Sequence, residues 1–142
     1  MNPASIVFED VRVRYPGAER NAVDGVSFQI AGGELVVLLG PSGCGKSTLL
    51  RTVNRLVPLD QGRVIVDGSS VGELDPVELR RGIGYVIQAI GLFAHMDVAQ
   101  NIAVVPSLQG WRRPEIALRV DELLQLVGLS PATYRRRRPS RL

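Results

Sequence analysis

Residues 40–48 read Gly40-Pro41-Ser42-Gly43-Cys44-Gly45-Lys46-Ser47-Thr48 and follow closely on the apolar run Glu34-Leu35-Val36-Val37-Leu38-Leu39. A glycine, four residues and then Gly-Lys-Ser, set between a strand-like and a helix-like run, is the pattern of a phosphate-binding loop. It imposes a strand–loop–helix unit on the chain. Gly40, Gly43 and Gly45 permit backbone angles and close approaches that a side chain would block. Successive amide N–H groups form a concave nest for an anion, and the helix starting near Lys46 adds the positive end of its dipole. Lys46 supplies a mobile charge to the β- and γ-phosphates of a nucleoside triphosphate, and Ser47 offers a hydroxyl to Mg²⁺. Thr48 is read as a cap or lining residue beside them. The whole stretch from Gly40 to Thr48 is assigned to nucleotide binding, with Cys44 contributing its backbone rather than its thiol.

A chain of 142 residues has room for one domain of ordinary size. Its 45% hydrophobic and 22% charged residues suit a packed core rather than disorder. No apolar run approaches the length of a bilayer span, and the N-terminus lacks a basic segment followed by an apolar core. A single cysteine excludes an internal disulfide, which agrees with a reducing compartment. The net charge of +3 is concentrated at Arg135-Arg136-Arg137-Arg138 and Arg141. Without aromatic interleaving beyond Tyr134, that run reads as a solvated face or frayed end, and nucleic acid is not expected as a partner.

The first segment alternates, with apolar residues at 6–8, 11 and 13 and Tyr15 just ahead of a Pro16-Gly17 turn. It reads as a strand, antiparallel to a second strand over 22–30. The run 34–39 reads as a buried strand, and the helix after the loop is expected to end near Leu56, ahead of Pro58. A short strand and turn follow over 63–68. Asp67 belongs to the turn rather than to a metal site, because Gly68 follows at once and no Glu is adjacent. Asp75 and Pro76 mark the N-cap and first residue of a short helix over Pro76–Arg81. Residues 82–87 read as a second buried strand leading to Gln88. Helices are expected over 98–104 and, from apolar residues at 116, 120, 123, 124 and 127, over 115–127.

This order resembles the nucleotide-binding subunit of ABC transporters. In that family an aromatic residue upstream of the loop stacks on adenine, and Tyr15 stands 25 residues before Gly40. A glutamine at the end of a later strand contacts Mg²⁺ and the attacking water, which implies a metal role for Gln88 and, with Lys46, a catalytic one. The implied fold is α/β: a P-loop NTPase of ABC type, with a RecA-like core and an N-terminal antiparallel β subdomain. The stretches Ile83-Gly84-Tyr85-Val86-Ile87-Gln88, Ile90-Gly91-Leu92-Phe93, His95-Met96, Asn101-Ile102 and Gly110-Trp111 further resemble the ATPases of glycine betaine, choline and carnitine importers. Ala94 and Asp97 stand where that subgroup usually has Pro and Thr. His95 falls in the segment resembling the permease-facing region, which implies a structural or interface role.

The resemblance implies that residues 1–142 are a partial nucleotide-binding domain, truncated before the Leu-Ser-Gly-Gly-Gln signature, the Mg²⁺-holding acids and the switch histidine. ATP and Mg²⁺ are the expected cofactors. Permease subunits of an importer and a second ATP-binding subunit are the expected partners. The expected location is cytoplasmic, peripheral on the inner face of the cell membrane. The expected role is to energise uptake of glycine betaine or related quaternary amine osmoprotectants, with this chain alone binding ATP rather than hydrolysing it. The alternative is a catalytically inactive ABC-fold interaction or regulatory module bound to a membrane permease.

Overall fold

Alternation at the N-terminus becomes strand β1 (Ile6–Val13), whose Phe8, Val11 and Val13 are buried. A spacing of three between Phe8 and Val11 would put them on opposite faces of a regular strand. A bulge reconciles them: the register shifts between these residues, and Asp10 adopts a left-handed φ of 43°. The Asp10 N–H that leaves the ladder donates to Ser27 Oγ at 2.8 Å. Strands β2 (Val23–Ile30) and β3 (Gln61–Val66) flank β1, both antiparallel to it, and β4 (Ser69–Ser70) completes the order β2-β1-β3-β4. Phe8 stacks on Phe28 across the first pair, with ring centroids 4.5 Å apart.

The computed structural model describes residues 4–87 and 91–141. The chain divides into two compact units, Met1–Ile83 and Gly84–Leu142. In the first, helix α1 (Lys46–Val53) sends Leu49 and Val53 into the core formed by Phe8, Val11, Val13 and Val64. The helix stops earlier than its apolar pattern suggests, because Arg55 turns left-handed at φ 52°. Asp67 and Gly68 both have positive φ, 49° and 76°, as a tight hairpin between β3 and β4 requires. The Asp67 carboxylate accepts from Ser5 N at 3.0 Å, so the turn assignment holds. Helix α2 (Pro76–Arg81) begins as expected: Asp75 Oδ1 accepts from Val77 N at 2.9 Å and Glu78 N at 3.0 Å.

Two expected strands do not form. Residues 34–39 and 82–87 are irregular, and Leu35, Leu39 and Val86 are 91%, 88% and 95% exposed. A buried parallel strand needs laddered neighbours and covered faces. Among the described residues no strand pairs with either run, so most of their apolar side chains lack the frame that would bury them, while Leu38 and Ile83 are partly buried against the core.

The second unit is helical: α3 (Val98–Leu108), α4 (Arg113–Leu126), α5 (Pro131–Tyr134) and a 3₁₀ turn, Pro139–Arg141. Asp97 caps α3 in a reciprocal box with Gln100, each side chain meeting the other's backbone N–H at 2.8 Å. Aspartate is among the strongest N-caps. The helix outlasts its expected end at 104 and carries Pro106 in its last turn. Val120 and Leu124 of α4 pack with Val98, while Val127 lies past the end of the helix and is exposed. The basic run is engaged rather than frayed. Carbonyls of Arg137 and Arg135 accept from Val98 N and Ala99 N at 2.9 and 3.0 Å. Arg135 binds both oxygens of Asp121, and Arg137 lies 4.5 Å over the Tyr134 ring.

Candidate functional site

The loop 40–48 is built on the start of β2 and the first turn of α1. Gly45 is the N-cap of α1, with φ 95° and no side-chain cap, so the leading amides of the helix are left to the loop. A Cβ on Gly45 would fall 2.1 Å from the Ala22 carbonyl oxygen, which makes glycine obligatory where the loop presses on the residue just before β2. Leu49 N donates to Gly45 O at 2.8 Å and starts the helical ladder.

Lys46 folds over the loop. Its ammonium donates to Gly40 O at 2.9 Å and Pro41 O at 2.7 Å, and lies 3.5 Å from Cys44 Sγ. The charge therefore sits at the loop itself, on a flexible stem that can exchange carbonyl partners for phosphate oxygens. Ser47 is exposed and presents one hydroxyl. Among the described residues no group of three or more His, Cys, Asp or Glu side chains is placed to hold a metal ion. A single hydroxyl fits Mg²⁺ bound mostly by phosphate oxygens and water. Beside the loop lies a hollow of about 450 Å³ lined in part by Asn21, Val23, Asp24, Cys44, Lys46 and Leu49.

Tyr15 reaches this assembly from the end of β1. Its hydroxyl lies 3.2 Å from Thr48 Oγ1, and the residue is 42% exposed. Thr48 is buried, and its hydroxyl pairs with that of the tyrosine.

The sequence pattern of the ABC transporter family matches residues 23–142. The chain belongs to the ABC transporter family. The choline transport ATP-binding protein OpuBA of Bacillus subtilis is 46% identical over 126 residues, covering 89% of this chain and 33% of that protein. The glycine betaine/carnitine/choline transport ATP-binding protein OpuCA of the same species is 48% identical over 123 residues, covering 87% and 32%. The chain thus spans about a third of the length of the curated relatives it matches. Among solved structures, the ATP-binding cassette MJ0796, in a dimeric post-hydrolysis state bound to ADP and Pi, superposes with a TM-score of 0.84. The identity there is 27%, over 96% of this chain and 62% of that one. A bacterial Atm1-family ABC exporter with ATP bound gives 0.65 at 35% identity, over 72% of this chain and 18% of that one. The fold is that of an ABC-type P-loop ATPase domain, and the relatives place the chain among osmoprotectant importer homologues.

Within this ABC framework the structure brings Tyr15, Lys46, Ser47 and Thr48 into one neighbourhood. Gln88 lies outside the described residues. His95 stands in the second unit, its ring edge-on to Phe93 at 6.0 Å, and lines a shallow hollow with Met96, Gln100 and Val104. Val23 and Asp24 were legible in the sequence only as strand residues and Asn21 as the residue before them, because nothing in their spacing announces that the loop folds back beside them. No helix among the described residues is long and apolar enough to cross a membrane.

Proposed function

We propose that this chain binds ATP at residues 40–48 as the nucleotide-binding part of an importer for glycine betaine or a related quaternary amine. The observation that carries this reading is the meeting of Tyr15 with α1, which sets an aromatic face beside a phosphate-binding loop. In it the adenine stacks on Tyr15, the backbone of Gly40 to Thr48 cradles the phosphates, and Lys46 meets the β- and γ-phosphates. Ser47 and Gln88 hold Mg²⁺ when it is bound, and the metal's role there is to neutralise phosphate charge. The importer assignment is supported by relatives named for choline, glycine betaine and carnitine transport. It carries with it permease subunits, a second ATP-binding subunit and a position on the cytoplasmic face of the membrane. Catalytic roles for Lys46 and Gln88 belong to that assembled machine.

Titration of a fluorescent ATP analogue against the parent chain and Lys46→Ala tests the binding claim. Loss of a charge-assisted contact should weaken affinity by about tenfold or more. Equal affinities would remove the loop from the site. For the transport claim, cells carrying Lys46→Ala should fail to take up labelled glycine betaine under osmotic stress, and unimpaired uptake would contradict it.

A further inference from the structure

Thr48 and Thr52 lie one turn apart on α1, and both are buried, at 8% and 1% exposure. A threonine hydroxyl in a helix ordinarily satisfies itself on a carbonyl of the preceding turn. Thr52 does so, donating to Leu49 O at 2.6 Å. Thr48 is paired instead with the Tyr15 hydroxyl at 3.2 Å, a contact between residues 33 positions apart. Tyr15 lies beyond the end of β1, in a turn closed by Ala18 N donating to Tyr15 O at 3.0 Å. The sheet ladder therefore does not fix its ring.

We propose that Thr48 is a positioning residue for nucleobase recognition. Its hydroxyl anchors the Tyr15 ring to the first turn of α1, so one hydrogen bond holds the ring of the base platform against the helix that carries the phosphate loop. This rests on the reading of Tyr15 as the base platform. The physical basis is preorganisation: a tethered phenol has given up rotamer freedom before a ligand arrives, so less is lost on binding. The tether uses the hydroxyl at the rim of the ring and leaves a face free for stacking. Because Thr48 follows Lys46 by two residues on the same helical turn, the platform is tied to the backbone that meets the phosphates. The base contact then depends on a residue that touches no part of the base.

Binding of ATP and of inorganic tripolyphosphate, each with Mg²⁺, tests this on the full chain and its variants. Thr48→Val should weaken ATP about fivefold, equivalent to ~1 kcal/mol for one lost hydrogen bond, with a smaller loss for tripolyphosphate. Tyr15→Phe should reproduce that loss, and the double variant should be no weaker than either single change, because both remove the same contact. Thr48→Ser, which keeps the hydroxyl, should restore parent affinity. Tyr15→Ala should weaken ATP by about tenfold and leave tripolyphosphate alone. Equal losses for both ligands in Thr48→Val, or additive losses in the double variant, would overturn the tether while leaving the platform standing. Unchanged ATP affinity in Tyr15→Ala would overturn both, by placing the base elsewhere. Tyr15→Phe alters a half-exposed side chain, so its result decides the matter even if Thr48→Val folds poorly.

Discussion

Two apolar runs separated by three residues meet different fates in this chain. β2 (Val23–Ile30) carries a charge, a glycine and two polar residues, yet it is a strand, because β1 offers it an antiparallel ladder. Residues 34–39 are more apolar, yet they form no ladder among the described residues and leave Leu35 and Leu39 in solvent. Hydrophobic pattern marks which side chains gain from burial. Whether a strand forms depends on partners for its N–H and C=O groups.

The comparison is broken or upheld most directly by truncating one apolar side chain in each region. Phe8→Ala, in the core beneath the β1–β2 pair, should destabilise the chain by about 3–5 kcal/mol in urea denaturation. Leu35→Ala should cost no more than about 0.5 kcal/mol. A comparable cost at Leu35 would mean that 34–39 is buried after all.

The second test asks which region anchors the loop. Gly45→Ala forces a side chain onto Ala22 O at a φ of 95°, whereas a Cβ on Gly43 meets nothing within 4 Å. Gly45→Ala should cost about 1–3 kcal/mol from backbone strain alone, with further loss from the clash, and should abolish ATP binding. Gly43→Ala should cost less than Gly45→Ala. Equal effects, read by thermal denaturation and ATP titration, would remove the start of β2 as the support of the loop.

Caps provide a smaller contrast. Asp75→Ala removes an acceptor shared by two amides and should destabilise by about 1 kcal/mol, measured by urea titration. At the start of α4, Glu115 accepts from the Arg112 guanidinium and from Arg112 N at 3.0 Å, which lowers its pKa below the ordinary carboxylate value. A lowered folded pKa gives stability that is present above the ordinary value near 4.5 and is lost as pH falls through the folded pKa. The group is solvent-exposed, so the effect is the smallest here. Glu115→Gln should flatten that acid-side slope slightly, and an unchanged slope would remove this contact as its cause.

Local signals in the sequence carried furthest where their partners are also local. Asp75-Pro76 announced α2 because a cap needs only the next three amides, and Asp67-Gly68 announced its turn because both residues supply positive φ themselves. The loop was legible for the same reason, since its glycines and Lys46 act within one short segment. Residues 34–39 and 82–87 misled because a strand's partner is not encoded in the strand. The end of α1 was missed because Arg55 takes a conformation that no spacing marks. Tyr15 was placed at the site by resemblance, while its bond to Thr48 depends on where β1 ends relative to α1. The Arg135 contact was hidden for a like reason, because Asp121 lies on another helix.

The most direct test of the account is hydrogen exchange of the intact chain with and without Mg²⁺ and ATP. The account predicts new amide protection over 40–48 and across the turn after Tyr15, with little change at 34–39. Protection that left the loop untouched, and appeared instead around the hollow lined by Arg55, Gly62 and Val71, would contradict it.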